Sequence, residues 1–260
     1  MLLEGKVALV TGGAQGLGKA FSEELLKNKA KVCICDLNTK TGEETIREWN
    51  SKYGSNAAMF LRCDVTNHDQ FEDVFKLTIA RFGGLDIVVN NAGVNLENES
   101  WRTTIMVNVI GVIEGTKLAD KYMSKTSGGR GGVVVNVAST AGLTPVFFMP
   151  VYVASKYSVV GFTRSVAMNP DVGRSGLRFV CLCPGFTDTS LLSSGLKSEG
   201  ISGNKLVEEL LTSTGVNTVE FVVEGFMQLL LTDDNNGGVM VVTKQRGIRY
   251  HGRQRKVNKL

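Results

Sequence analysis

Histidine is nearly absent from this chain, with His68 and His251 the only two among 260 residues. A metal centre built on imidazoles has almost no ligands to draw on, and no metal is expected. Cysteine is scarce as well, and its count of five is odd. Four of the five stand as Cys33-x-Cys35 and Cys181-x-Cys183 inside apolar runs. A period of two puts both members of each pair on one face of a strand, where reduced thiols pack as small hydrophobes. No apolar run approaches the about 18 residues of a membrane span. Nor does a secretory hydrophobic region precede Gly5, since Met1-Leu2-Leu3 meets Glu4 at once. A cytoplasmic protein is expected. Charge is modest, at 21% charged residues and a net +4, so no nucleic acid partner is implied. The positive excess gathers at the end of the chain, where Arg253, Arg255, Lys256 and Lys259 lack apolar periodicity and read as a flexible tail over 251–260.

With 43% hydrophobic residues, the chain has the means to bury a large core, and one domain over 1–250 is expected. Strand-like runs recur at 6–11, 31–36, 57–62, 85–90, 133–137, 177–183 and 239–242, and segments with helical spacing lie between them, among them 18–29, 39–53 and 69–82. Most runs are nearly continuous in Val, Ile, Leu and Ala, as strands covered on both faces require. The pattern predicts an α/β fold, a doubly wound parallel sheet of about seven strands with helices on both faces. One stretch breaks the rhythm. From 186 to 215, Ser, Gly and Leu mix with a short amphipathic piece around 205–211, directly after a strand ending in Cys183-Pro184-Gly185. Ligands bind beyond the carboxyl ends of such strands, so this excursion is expected to act as a substrate lid.

After the first strand comes Thr11-Gly12-Gly13-Ala14-Gln15-Gly16-Leu17-Gly18, which runs straight into a helix. Glycines allow a tight turn and close backbone approach, and the helix start offers free N–H groups to a pyrophosphate. Gly12, Gln15, Gly16, Leu17 and Gly18 are therefore candidate dinucleotide contacts. Asp36 ends the second strand about 18 positions later, near the distance at which an acidic side chain meets the adenosine ribose. A carboxylate accepts hydrogen bonds from ribose hydroxyls and repels a 2′-phosphate, and no basic residue stands in Cys35-Asp36-Leu37-Asn38. NAD is the expected cofactor. Asp64 after the third strand is placed to hold the adenine from a strand terminus, with Leu37, Cys63 and Val65 as further candidate cofactor contacts, although Asp64 by itself is indistinguishable from a turn-forming Asp.

Farther on, Tyr152 and Lys156 stand four apart in a helix-like stretch, so phenol and ammonium share one face. A nearby cation favours phenolate, which makes the pair a candidate general base. Ser139 follows the fifth strand, at the same sheet edge, where its hydroxyl has the chemistry to orient a substrate alcohol.

In order along the chain, the glycine turn, Asp36, Asp64, Asn90-Asn91-Ala92-Gly93, Asn108, Ser139, Tyr152, Lys156 and Pro184-Gly185 resemble the short-chain dehydrogenase/reductase family over nearly all of 5–242. The resemblance implies a Rossmann-like fold and interconversion of a secondary alcohol and a ketone. It implies that Asn91, Ala92 and Gly93 line the adenosine side, that Asn108 props a water linking Lys156 to solvent, and that Pro184, Gly185, Thr187 and Thr189 meet the nicotinamide portion, with Tyr152 and Lys156 at its ribose. It also implies a homo-oligomer, dimer or tetramer, built on helices at 101–124 and 151–168. The members most like this chain carry Gln where it has Met149, so the apolar Phe147-Phe148-Met149 points to a more hydrophobic, lipid-like substrate alcohol held by Ser139, Met149 and Tyr152. The rivals are an oxoacyl or steroid ketone reductase, which would use NADPH and a basic residue near Asp36, and a sensor or scaffold that has lost catalysis. Tyr, Lys and Ser are all present, against the second.

Overall fold

In the computed structural model, residues 2–98, 100–193 and 203–252 are described. The seven apolar runs form seven parallel strands: β1 (Val7–Thr11), β2 (Lys31–Asp36), β3 (Ala58–Arg62), β4 (Ile87–Asn90), β5 (Gly132–Val137), β6 (Leu177–Pro184) and β7 (Val239–Thr243). An eighth, β8 (Gly247–Tyr250), turns back antiparallel on β7. The sheet order is β3-β2-β1-β4-β5-β6-β7-β8.

The strands read as continuous apolar runs because alternate residues feed two cores. In β1, Ala8 and Val10 join one cluster while Val7 and Leu9 join the other. The first core lies under α1 (Gly16–Lys27), α2 (Thr39–Tyr53) and α9 (Val219–Leu231), where Trp49 is fully buried and Phe21 stacks on Phe226 at 4.4 Å between ring centres. The second lies under α3 (His68–Phe82) and α5 (Val112–Met123). Beside it, α6 (Pro150–Ala167) packs Val159 and Val160 on Cys181 and Cys183 of β6. All five cysteines are buried and free, and the paired ones share a face as their spacing predicts.

Two shorter helices, α4 (Trp101–Ile105) and α7 (Val172–Ser175), precede α5 and β6. A π-helical turn, Met106–Gly111, joins α4 to α5. Within the expected lid, α8 (Lys205–Thr214) is the amphipathic piece. Residues 194–202 of that segment and 253–260 of the expected tail lie outside the described residues. No helix among the described residues is long and apolar enough to cross a membrane.

Candidate active site

The carboxyl ends of the parallel strands open on a cleft of about 690 Å³. β1 has β2 on one side and β4 on the other, so the cleft lies where the strand order reverses. In the β1–α1 turn, Gly12 and Gly16 take φ of 62° and 56°, a region that a Cβ disfavours. A Cβ on Gly12 would stand 2.9 Å from Ala92 Cα, whereas one on Gly16 would meet nothing within 4 Å. Gln15 precedes α1 without a side-chain cap, which leaves the first N–H groups of the helix for an anion at its positive end. Gly12, Gln15, Gly16 and Leu17 line the cleft.

Gly18 is not part of the cleft wall. A Cβ there would lie 2.2 Å from Gly12 O and 2.5 Å from Asn91 Nδ2, so the glycine seats α1 under the turn. Asn91 braces the turn from the other side, donating from Nδ2 to Thr11 O at 2.9 Å and Gly12 O at 3.1 Å. Asp36 is aimed by backbone: its Oδ2 accepts from Ala14 N at 3.1 Å and its Oδ1 from Asn38 N at 3.0 Å. Each carboxylate oxygen keeps a further lone pair. Leu37, Cys63, Asp64, Val65, Asn91, Ala92 and Gly93 continue the wall. Asp64 Oδ1 accepts from Thr66 N and Thr66 Oγ1 at 2.9 and 2.7 Å, the turn-forming role that sequence leaves open.

At the other end stand Ser139, Tyr152 and Lys156. Pro150 starts α6 with φ already helical, and the four-residue spacing brings Lys156 Nζ to 5.4 Å from the Tyr152 ring centre. Lys156 is 3% exposed and donates to Val137 O at 3.0 Å. Burial disfavours charge on both groups, pushing the Lys156 ammonium down to about 8 and the Tyr152 phenol up to about 12, while a hydrogen bond with Ser139 works the other way on the phenol. Ser139 Oγ donates to Pro184 O at 3.3 Å and accepts from Ala141 N at 3.1 Å, which ties the ends of β5 and β6 together. Pro184, Gly185, Thr187 and Thr189 complete this end, with Thr187 Oγ1 donating to Gly185 O at 2.9 Å.

Asn108 is buried in the π-helical turn, behind the wall rather than in it. Its Oδ1 accepts from Val94 N at 2.9 Å, and its Nδ2 donates to Val94 O at 2.9 Å and Ser155 Oγ at 3.1 Å. A Cβ on Gly93 would lie 3.3 Å from Asn108 Oδ1 and 3.6 Å from Lys156 Nζ, so only the width of Gly93 separates the two side chains.

Other site residues have no local sequence signal. The Glu97 carboxylate accepts from Val151 N at 3.0 Å and Tyr152 N at 2.7 Å, capping α6 from 54 positions away. Asn217 is 2% exposed, donates to Val242 O at 3.1 Å, and keeps an Oδ1 without a partner among the described residues in the wall of the cleft. Leu143, Val146, Phe186, Leu191, Leu192 and Leu210 join the buried Met149 as an apolar wall. Phe147 is 64% exposed, sits edge-on to Phe148 and lies outside both core and cleft. Among the described residues no group of three His, Cys, Asp or Glu side chains is placed to hold a metal ion.

The chain is similar to known proteins over most of its length. The family model for short chain dehydrogenases matches residues 6–199. A 15-hydroxyprostaglandin dehydrogenase [NAD(+)] of Rattus norvegicus is 41% identical over 254 residues, covering 96% of this chain and 95% of that enzyme. A 3beta-hydroxysteroid dehydrogenase 2 of Eggerthella lenta is 34% identical over 73% of this chain and 74% of its own. Among solved structures, levodione reductase superposes with a TM-score of 0.81 at 27% identity, over 92% of this chain and 96% of the other. With the glycine turn, Asp36, Ser139, Tyr152 and Lys156 on one sheet edge, the chain belongs to the short-chain dehydrogenase family.

Proposed function

We propose that this protein is an NAD-dependent dehydrogenase that interconverts a hydrophobic secondary alcohol, of the prostaglandin or hydroxy fatty acid class, and its ketone. The observation that carries the reading is one continuous cleft with Asp36 and the glycine turn at one end and Ser139, Tyr152 and Lys156 at the other. The residues fit the cofactor: Gly16 leaves open space at an uncapped helix start, and Asp36 presents a carboxylate with no cation beside it in the chain. The α1 start would hold the pyrophosphate, Asp36 the adenosine ribose, and Thr187 and Thr189 the nicotinamide portion. When bound, the nicotinamide supplies the hydride acceptor.

Ser139 and Tyr152 orient the substrate hydroxyl and Tyr152 Oη takes its proton. Lys156 lends positive charge beside the phenol and would bond the nicotinamide ribose, and Asn108, which holds the backbone at Val94, would complete the proton path through a water. Met149 and the leucines exclude water from the reacting carbon. The relatives' lipid and steroid alcohols match this apolar wall in character. The excursion after β6 acts as a lid. The buried free thiols fit a reducing, cytosolic compartment. Homo-oligomerisation uses exposed Trp101, Met106, Ile110 and Tyr157 on the helices around α4 and α6.

Initial rates of NAD and NADP reduction with a panel of lipid, steroid and short secondary alcohols test the reading. NAD should be preferred, and Tyr152→Phe should lower kcat at least about 100-fold with the fold intact. A preference for NADP would overturn the role of Asp36, and normal turnover by the Phe variant would overturn the base assignment.

A further inference from the structure

The two ends of the cleft differ in charge. Asp36 marks the adenosine end, while Lys244, Arg246 and Arg249 line the opposite rim, on and after β7. The ion pairs among the described residues use other cations. All three are exposed at that rim. The hairpin of β7 and β8 sets Arg249 opposite Val241. Gln245 Nε2 donates to Ser213 O. The Lys244 stem lies over Gly215, where a Cβ would stand 3.0 Å from Lys244 Cδ.

These cations are too far along the sheet to serve the cofactor's pyrophosphate. β7 is four strand spacings from β1, about 19 Å at the usual separation. It is only two from β5, so the rim begins about 10 Å from Ser139. The same cleft carries the apolar wall of Leu143, Val146, Met149 and Leu210.

We propose that Lys244, Arg246 and Arg249 form a carboxylate subsite, so that the substrate is a long hydroxy acid with its carbinol between Ser139 and Tyr152 and its carboxylate at the β7–β8 hairpin. The inference rests on the dehydrogenase reading and adds to it the residues that hold the carboxylate which such hydroxy acids carry. Charge and reach together select it: an apolar chain fills the middle of the cleft, and Arg and Lys meet a carboxylate with charge-assisted hydrogen bonds.

The test compares a hydroxy fatty acid, with its secondary hydroxyl about ten bonds from the carboxyl, with its own methyl ester. Both are assayed with NAD, on the wild type and on Lys244→Gln/Arg246→Gln/Arg249→Gln. The wild type should use the acid with a KM at least ten-fold lower than the ester, and that KM should rise with ionic strength. The triple variant should raise the KM for the acid ten-fold or more, leaving kcat and the ester kinetics unchanged, which also shows that it folds. Equal use of acid and ester by the wild type, an acid-to-ester ratio unmoved in the variant, or oxidation of neutral alcohols alone would overturn the subsite while leaving the dehydrogenase intact. Failure to oxidise any secondary alcohol with NAD would overturn the dehydrogenase reading itself.

Discussion

Lys156 is buried with one protein acceptor, Val137 O, and its pKa of about 8 lies below the value near 10.4 of an unfolded lysine. Between those two pH values the unfolded chain still binds a proton that the folded chain has released, so this group's contribution to stability rises with pH and is lost as pH falls through about 8. Tyr152 has the opposite sign: its raised pKa of about 12 adds stability that is present below pH 10 and lost as pH rises through 12. Below pH 10 the phenol term is common to wild type and a Lys156→Met variant. The stability of wild type relative to that variant should therefore climb between pH 7.5 and 10, approaching about 3 kcal/mol over the whole window. Paired melting curves at several pH values measure it, and a flat difference would mean that the ammonium keeps its water in solution. Glu97 is a positioning residue of a different kind, since it touches the backbone of Tyr152 and not the reacting atoms. Replacing it with Ala should cost about 1–2 kcal/mol of stability as a lost helix cap and lower kcat about ten-fold with KM little changed. Glu97→Gln, which keeps one acceptor oxygen, should recover much of the kcat. A drop in melting temperature with no change in kcat would reduce Glu97 to a cap alone.

The excursion after β6 is tied at its base, and its helix α8 is loosely held. Asn217 N donates to Phe186 O at 2.7 Å and Asp188 N to Asn217 O at 3.1 Å, so its ends meet beside the active site. Yet α8 buries only Val207 and leaves Leu206 61% exposed. A helix with so little burial opens locally at low cost. Amide exchange over 205–214 should be fast in the protein alone and slow several-fold with NAD and a ketone product present, while β6 stays protected throughout. Equal exchange in both states would remove the lid. The elements easiest to read in the sequence were those whose pattern is local. The predicted helix at 39–53 matches α2 residue for residue, and each predicted strand lies within two residues of its structural bounds, because a sheet covered on both faces writes itself as an unbroken apolar run. β8 was not legible: Gly-Ile-Arg-Tyr alternates over too few residues to stand out, and only pairing with β7 makes it a strand. The π-helical turn left no signature either, since its extra residue shows only in the register that carries Asn108 inward. Ser139, Tyr152 and Lys156 were found through spacing and strand ends. Glu97 was not, because a cap supplied from a distant loop has no periodicity to betray it.

At the scale of the whole molecule, several large apolar side chains stand exposed on helices that pack against one another. Trp101, Met106 and Ile110 are each at least 41% exposed around the π-helical turn, and Tyr157 is 42% exposed and Met168 75% exposed on and just after α6. Met106 and Ile110 share a helical face, as do Tyr157 and Met168 three turns apart. Gly161 lies exposed between the latter two, with nothing within 4 Å of an added Cβ. Such a strip suits a two-fold contact in which the same patch of two copies meets itself. Fully burying each large apolar side chain contributes about 1.5–3 kcal/mol. Glutamate at 106 and 110 would instead place two charges from each copy in the contact, at several kcal/mol of desolvation per ion. Wild-type protein should therefore sediment as a dimer or tetramer at micromolar concentration, and Met106→Glu/Ile110→Glu as a single chain; a monomeric wild type would reject the assembly. The same turn that turns Met106 and Ile110 outward holds Asn108 against Val94, one glycine away from Lys156. Loss of the partner should then loosen that turn and lower kcat several-fold, although every proposed catalytic residue belongs to one chain. A monomeric variant that keeps the wild-type kcat would show that Asn108 is held by its own chain alone.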